Sequence, residues 1–163
     1  MQIHIIIETS LLLKEYSKPS LDPDNPTPIS DKYICVVKAH DSSEITGLEK
    51  NEISFKKESV EGICFYVVSE SANFDNPVIL YNLKDYDDNN ILEEFSMSCS
   101  EIETIIPERF NPLETARVNK MFFNIKSKIL NSGKGAYGIH FGIFNYDSTA
   151  LGYFEFCISL SID

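Results

Sequence analysis

The sequence predicts an all-β fold, namely an antiparallel two-sheet β-sandwich of immunoglobulin-like or jelly-roll-like type with one or two short helical turns. Short runs of β-branched and aromatic residues recur along the chain, and clusters of turn-forming residues separate them. Helical periodicity is weak throughout. The 163 residues contain no linker long enough to separate domains, so residues 1–163 are predicted to form one domain.

The N-terminal part predicts a strand, a short helix and a stiff crossing to a second strand. Alternating isoleucines in Ile3–Ile7 indicate the strand, and Ser10–Tyr16 is long enough for one or two helical turns. The segment Asp22–Ile29 contains three prolines, which are poorly tolerated in helices and central strands. It is therefore predicted to run extended to a strand at Tyr33–Val37.

The middle of the chain predicts several further strands, of which one is apolar on both faces and therefore central. These strands are expected at Ile53–Phe55, Ile63–Val68 (the central one), Val78–Tyr81 and Met121–Ile129. The segment Asn111–Ala116 has Asn at the capping position and Pro at the first helical position. It is predicted to form a second short helical turn.

The C-terminal part predicts a β-hairpin. Tyr137–Phe144 and Tyr153–Ile162 both alternate between apolar and other residues with a period of two. Asn145–Thr149 lies between them and supplies turn-forming residues. Each strand is therefore expected to turn one face to the core.

The chain is acidic, with a net charge of −11 and a pI of about 4.7. Such a charge disfavours binding to nucleic acid and to anionic membrane surfaces. Mutual repulsion would keep the protein in solution. Alternatively, neutralisation of the carboxylates by lower pH or by cations would permit self-association.

The four cysteines, Cys35, Cys64, Cys99 and Cys157, form no CxxC pair and lie near no His at zinc-ligand spacing. Three of them lie in apolar runs, which predicts buried, reduced thiols and a cytoplasmic protein. A disulfide between facing strands remains an alternative. The N-terminus shows no secretory pattern, and no apolar run reaches membrane-spanning length.

A cluster of oxygen-bearing side chains, with Asp85, Asp87 and Asp88 at its centre, is the candidate metal site. Calcium favours six to eight oxygen ligands, although the spacing is not that of an EF-hand loop. The alternative is a solvated acidic loop without a cofactor.

Carbohydrate is the candidate small ligand, because tyrosines and carboxylates are frequent in the loops. The aromatic candidates are Tyr81, Tyr86, Tyr137, Tyr146 and Tyr153, and the predicted ligand-binding residues are Asp22, Asp24, Asn25, Tyr86 and Tyr146. A lectin-like or host-directed binding module would use the loops Asp22–Ser30, Asp85–Asn90 and Asn145–Ala150 at one end of the sandwich. Alternatively, the tyrosines fill the core or cover loops.

No catalytic signature is present. The three histidines, His4, His40 and His140, are scattered and have no paired ligand nearby in sequence. There is no Gly-x-Ser-x-Gly elbow and no Cys/His catalytic context. The sequence therefore predicts a protein that is not an enzyme.

Four blocks of the sequence resemble the PixA/AidA family of bacterial inclusion-body proteins. They are Ile5–Thr9, Asp22–Ile29 with the following Tyr33-Ile34, Gly62–Tyr66 with Val78–Tyr81, and Leu151–Phe154. The family usually has Asp in place of Glu8 and commonly a Trp near Tyr66, so the chain departs from the pattern there. The resemblance implies a non-enzymatic protein that self-assembles into cytoplasmic inclusion bodies, with a role in storage or host association.

Overall fold

The computed structural model describes residues 1–39, 51–109 and 111–163, which form mainly β-strands. The strands are β1 (Gln2–Ile7), β2 (Thr27–Pro28), β3 (Ile34–Ala39), β4 (Glu52–Phe55), β5 (Gly62–Ser69), β6 (Val78–Asp85), β7 (Ser96–Glu108), β8 (Asn111–Lys128), β9 (Gly133–Phe144) and β10 (Ala150–Ile162). An α-helix, α1, spans Thr9–Glu15, and 3₁₀ turns span Asp31–Tyr33 and Lys57–Ser59. No helix in the described ranges is long and apolar enough to cross a membrane.

The strands form two sheets that pack as a sandwich, as the sequence predicts. Sheet I has the order β3-β1-β5-β8-β7, and sheet II has the order β2-β10-β9-β6, with β4 also paired to β10. The prediction that the sheets are purely antiparallel is wrong. β1 runs parallel to β5, and β10 runs parallel to both β2 and β4. These partners are far apart in sequence, and parallel pairing requires such long connections rather than tight hairpins.

The core lies between the two sheets and is built from alternating side chains. Ile3, Ile5 and Ile7 are at most 1% exposed, and the Phe141 and Phe154 rings stack with centroids 5.7 Å apart. The buried hydrophobic side chains of the described residues form one cluster. The predicted C-terminal hairpin is confirmed as β9 and β10, with a bulge between Ala150 and Gly152.

The proline-rich segment lies along the edge of sheet II, and residues 17–29 are called the strap. Ser20 bridges to Tyr153, and β2 pairs with Phe154 and Glu155 of β10. Pro19 packs so closely on Gly152 that a Cβ there would lie 2.5 Å from the proline Cγ. The strap is therefore fitted to a glycine on β10.

β7 and β8 continue beyond the sandwich as a two-stranded projection, and residues 97–123 are called the arm. Among the residues whose burial the structure describes, no buried hydrophobic side chain belongs to the arm. The predicted helical turn at 111–116 is wrong, because these residues begin β8 and pair with β7, for example Ala116 with Ile106. Cross-strand pairing over the length of β7 overrides the local capping signal.

The cysteines are all free, which leaves the disulfide alternative unsupported. The prediction that the three thiols in apolar runs are buried is wrong for Cys35 and Cys157, which are exposed, and Cys64 is half-buried. Cys35 and Cys157 lie on the outward face of their strands, because the other parity of each strand supplies the core. An apolar run in the sequence does not distinguish these two faces.

Candidate functional site

A polar and aromatic cluster covers the outer face of sheet II. Along β9 the side chains of Ile139 and Phe141 are buried in the core, so His140 lies on the opposite face. Glu155 of β10 lies directly opposite His140 in the pairing register. Tyr86, just after β6, covers Gly138, where a Cβ would come within 2.6 Å of the phenolic oxygen. Glycine is therefore required for Tyr86 to lie flat on the sheet.

The imidazole of His140 is held from both sides. Its Nε2 lies 2.6 Å from Oε2 of Glu155, although the geometry of this contact is not that of a hydrogen bond. Asn82 Nδ2 lies 3.3 Å from Nδ1 and, as an amide nitrogen, donates to it. The ring proton of the neutral imidazole is thereby assigned to Nε2, facing the carboxylate. Tyr86 Oη donates to the other carboxylate oxygen, Oε1.

Burial determines how this cluster titrates. His140 is 5% exposed, and burial lowers its pKa below the ordinary value of 6.5, although the Glu155 carboxylate acts in the opposite direction. Burial and the same carboxylate raise the pKa of Tyr86. The cluster therefore holds a neutral imidazole and a neutral phenol around one carboxylate at neutral pH.

Tyr81 joins this cluster to the strap. Its ring lies edge-on to Tyr153 at 5.6 Å and tilted over His140 at 5.8 Å. Its hydroxyl donates to the carbonyl oxygen of Pro23 at 2.8 Å. Burial, with Tyr153, Glu155 and the two nearby strap carboxylates Asp24 and Asp22, raises the pKa of Tyr81 to about 12. The strap therefore closes the cluster on one side.

Four of the predicted ligand-binding residues are placed around this face. Tyr86 contacts Glu155, while Asp22, Asp24 and Asn25 form the turn of the strap beside Tyr81. The Asp22 carboxylate is occupied by that turn, since it accepts the Asp24 N–H at 3.0 Å and Asn25 Nδ2 at 2.7 Å. These two contacts, with Asn25 first, lower the pKa of Asp22.

Tyr146 lies elsewhere. It is 77% exposed in the turn between β9 and β10, where its hydroxyl bonds to Asp75 Oδ1 at 2.8 Å and to the carbonyl of Phe74. The expectation that the three candidate loops meet at one end is wrong. The pairing of Asp85 with Tyr137 and of Val78 with Ile143 places loop 85–90 and turn 145–149 at opposite ends of sheet II.

The carboxylates of the candidate metal loop accept backbone hydrogen bonds that hold the conformation of the loop. Asp85 Oδ1 accepts the N–H groups of Asp87 at 2.9 Å and Asp88 at 3.2 Å. Asp87 Oδ2 accepts the N–H of Ala136 at 2.8 Å, which fastens the loop to β9. Within the described ranges, no group of three or more His, Cys, Asp and Glu side chains is arranged to hold a metal ion.

The remaining histidines lie away from the cluster. His4 stacks on Tyr66 of the neighbouring β5, with ring centroids 5.0 Å apart. His40 lies outside the described residues. A separate open groove of about 920 Å³ lies where β5 meets β8, and Cys64, Tyr66, Phe95 and Lys126 are among its lining residues. This groove contains none of the predicted ligand-binding residues.

Two comparisons with known proteins give a match, one to a family model and one to a solved fold. The family model described as "PixA: Inclusion body protein" matches residues 1–162. A search of curated proteins finds no match. Among solved structures, the chain is similar to the crystal structure of the inclusion body protein PixA from Burkholderia cenocepacia J2315. The TM-score is 0.83 at 17% identity, covering 99% of this chain and 94% of that one.

Proposed function

Since this chain belongs to the PixA family of inclusion body proteins, we propose that it self-assembles as folded subunits into cytoplasmic inclusion bodies. Its role would be non-enzymatic, in storage or in host association. Assembly from folded subunits requires a complete core together with exposed apolar contact surface.

The position of the exposed apolar side chains is the observation that carries the proposal. The sandwich has a closed core, yet six large hydrophobic side chains are exposed in the described part of the arm, namely Met97, Ile102, Ile105, Leu113, Met121 and Phe123. A single projecting element thus concentrates apolar surface outside the folded core. Such a patch is typical of a protein–protein contact rather than of a monomer surface.

The net charge of the subunits would control their assembly. At a net charge of −11 the subunits repel one another at neutral pH. Protonation of carboxylates towards the pI of about 4.7, or binding of divalent cations such as calcium, would reduce that repulsion. Assembly is therefore expected to depend on pH and on cations, with the arm making the contacts.

Light scattering of the purified full-length protein between pH 7 and the pI, with and without calcium, tests the proposal. Reversible growth from a small species into ordered particles is expected as the pH falls. A monomer or fixed dimer under every condition would contradict self-assembly. Particle growth that depends on neither pH nor calcium would contradict only the proposed control of assembly by charge.

A lectin-like module is the second candidate, favoured by the convergence of Tyr81, Tyr86 and the strap carboxylates on the outer face of sheet II. Aromatic rings stack on sugars, and carboxylates accept sugar hydroxyls. A glycan array with and without calcium tests this candidate, and Tyr86→Ala is the matched variant. Absence of signal above background in both conditions would contradict it.

A further inference from the structure

We propose that the arm of one chain docks edge to edge on the arm of a second copy, with β7 of one copy beside β8 of the next. This inference rests on the self-assembly proposed above, and it names the element and the partner. The contact would be head-to-tail, because two different edges of the arm meet.

Both edges of the arm are open to pairing. β7 is the last strand of sheet I, and β8 pairs with β5 only at residues 125–128. Along the arm, neither strand pairs with a third strand from the described parts of the chain. An open edge presents a row of backbone N–H and C=O groups that another strand can satisfy.

The charges of the two strands are segregated. β7 carries carboxylates and no Lys or Arg, whereas β8 carries mainly cations. The β7 carboxylates are Glu101, Glu103 and Glu108, and the β8 charges are Arg117, Lys120, Lys126 and Lys128 against Glu114 alone. Within one arm, Glu103 already pairs with Arg117 at 3.0 Å. A β7 edge beside a β8 edge repeats this pairing, whereas β7 beside β7 sets carboxylate against carboxylate.

The arm is also where a second copy meets the least repulsion. Residues 97–123 contain four carboxylates, at 101, 103, 108 and 114, and three cations, at 109, 117 and 120. Their net charge is −1, within a chain of net charge −11. Two subunits therefore meet less charge repulsion at their arms than over the rest of their surface.

The size of the arm suits a stable contact. At roughly 3.3 Å per residue, β7 from Met97 to its end reaches about 40 Å. Two strands paired edge to edge over that length can share about one backbone hydrogen bond for each pair of facing residues. Ile105 and Met121, each 65% exposed, supply apolar surface on this ribbon.

This geometry leaves a free edge after every addition. A contact between two different surfaces continues into rings or open filaments instead of closing as a dimer. Growth without closure is what an inclusion requires. A symmetric pairing of two identical edges would instead stop at two subunits.

The first test deletes the arm. Residues 99–123 are replaced by Asn-Gly, which closes a short hairpin between Ser98 and Asn124, two residues that already face each other. The buried core formed by the described residues lies outside this segment, so the variant should fold, which circular dichroism and thermal unfolding verify. Loss of particle growth at a pH and calcium level where the full-length chain grows is expected.

The second test exchanges charges between the edges. Glu101→Lys with Glu103→Lys makes the whole arm basic, and Arg117→Glu with Lys120→Glu makes it acidic. Each protein alone should require roughly tenfold more protein for growth, since several like-charged pairs would face each other. An equal mixture of the two should recover growth. Asp31→Lys with Glu58→Lys, away from the arm, is the control for the basic variant, because it makes the same change in net charge.

The outcomes separate the two proposals. If the full-length chain grows and the folded, arm-deleted chain grows equally well, the arm inference is wrong and self-assembly stands. If the full-length chain never grows, self-assembly itself is wrong. If the purified chain stays monomeric but arm deletion abolishes inclusions in cells, the partner is another cell component and a second copy is excluded.

Discussion

His140 and Glu155 face each other across β9 and β10 on the outer side of sheet II, with 2.6 Å between Nε2 and Oε2. The backbone of Glu155 also receives the strap, since its carbonyl accepts the N–H of Ile29 at 2.8 Å. The buried imidazole and the attachment of the strap therefore meet at one residue. Changes in the protonation of His140 are expected to affect the stability of this side of the sandwich.

The stability of the protein should fall as the pH falls below about 6.5. Burial lowers the pKa of His140 in the folded state, so the unfolded chain takes up a proton at a higher pH than the folded chain does. Each unit by which folding lowers this pKa adds about 1.4 kcal/mol to the unfolding free energy. That contribution is complete above pH 6.5 and is lost as the pH falls below it. Urea unfolding at pH 7.5 and pH 5.5 measures the loss.

His140→Gln is the matched variant, because it removes the titrating group and keeps a polar side chain. The difference in unfolding free energy between the two pH values should be smaller in this variant than in the unaltered protein. An equal difference in both proteins would show that other groups cause the pH dependence.

The His140–Glu155 pair could not be predicted from sequence, although the hairpin that carries it could. Residue Ala150 pairs with Phe144, and continuing that register would place His140 opposite residue 154. The bulge between Ala150 and Gly152 shifts the register by one, and this shift brings Glu155 opposite His140. No residue pattern in the turn specified the bulge, so the two side chains could not be matched.

Glu70 should stabilise the start of α1. Its carboxylate accepts the N–H and hydroxyl groups of both Thr9 and Ser10 at 2.7–3.0 Å. Burial alone would raise its pKa, but these hydrogen bonds hold the pKa at about 2, below the ordinary 4.5. Glu70→Ala should therefore reduce the unfolding free energy by about 1 kcal/mol at pH 7, a typical capping contribution.

The capping effect should depend on pH in a defined direction. Because the folded pKa is lowered, the contribution of Glu70 is complete above pH 4.5 and is lost as the pH falls towards 2. Glu8→Ala is the control, since Glu8 precedes the helix but makes no side-chain capping bond. Urea unfolding of both variants at pH 7 and pH 3 measures this. A Glu70→Ala cost at pH 3 as large as the cost at pH 7 would contradict the argument.

Gly152→Ala should release the strap from sheet II. A Cβ at this position would lie 2.5 Å from Cγ and 2.7 Å from Cβ of Pro19, and a proline ring has little freedom to move away. Limited proteolysis should then cut within residues 17–26 faster than in the unaltered protein. Ser148→Ala in the neighbouring turn is the comparison. Unchanged cleavage in Gly152→Ala would show that the strap is held by its other contacts.

The sequence pattern does not predict the arm, and the physical reason is a different one. The strands β1, β9 and β10 alternate in sequence and are predicted from that pattern, whereas β5 is predicted from its continuous apolar run. β7 is exposed or half-buried at every position, so no core selects alternate apolar residues along it. The parallel pairing of β1 with β5 was likewise hidden, because it joins segments about 60 residues apart that share no local signal.

A core substitution should distinguish assembly of folded subunits from aggregation of unfolded chains. Phe154 is fully buried and stacks on Phe141, so Phe154→Ala should reduce the unfolding free energy by about 3–5 kcal/mol. Phe74, 73% exposed, is the matched control, and Phe74→Ala should change the unfolding free energy by about 0.5 kcal/mol or less.

A loss of about 4 kcal/mol in Phe154→Ala multiplies the unfolded population roughly a thousandfold. If folded subunits assemble, light scattering near the pI should show no corresponding acceleration in Phe154→Ala, because the arm is unchanged. Growth that accelerates in proportion to the unfolded population would show that unfolded chains build the particles.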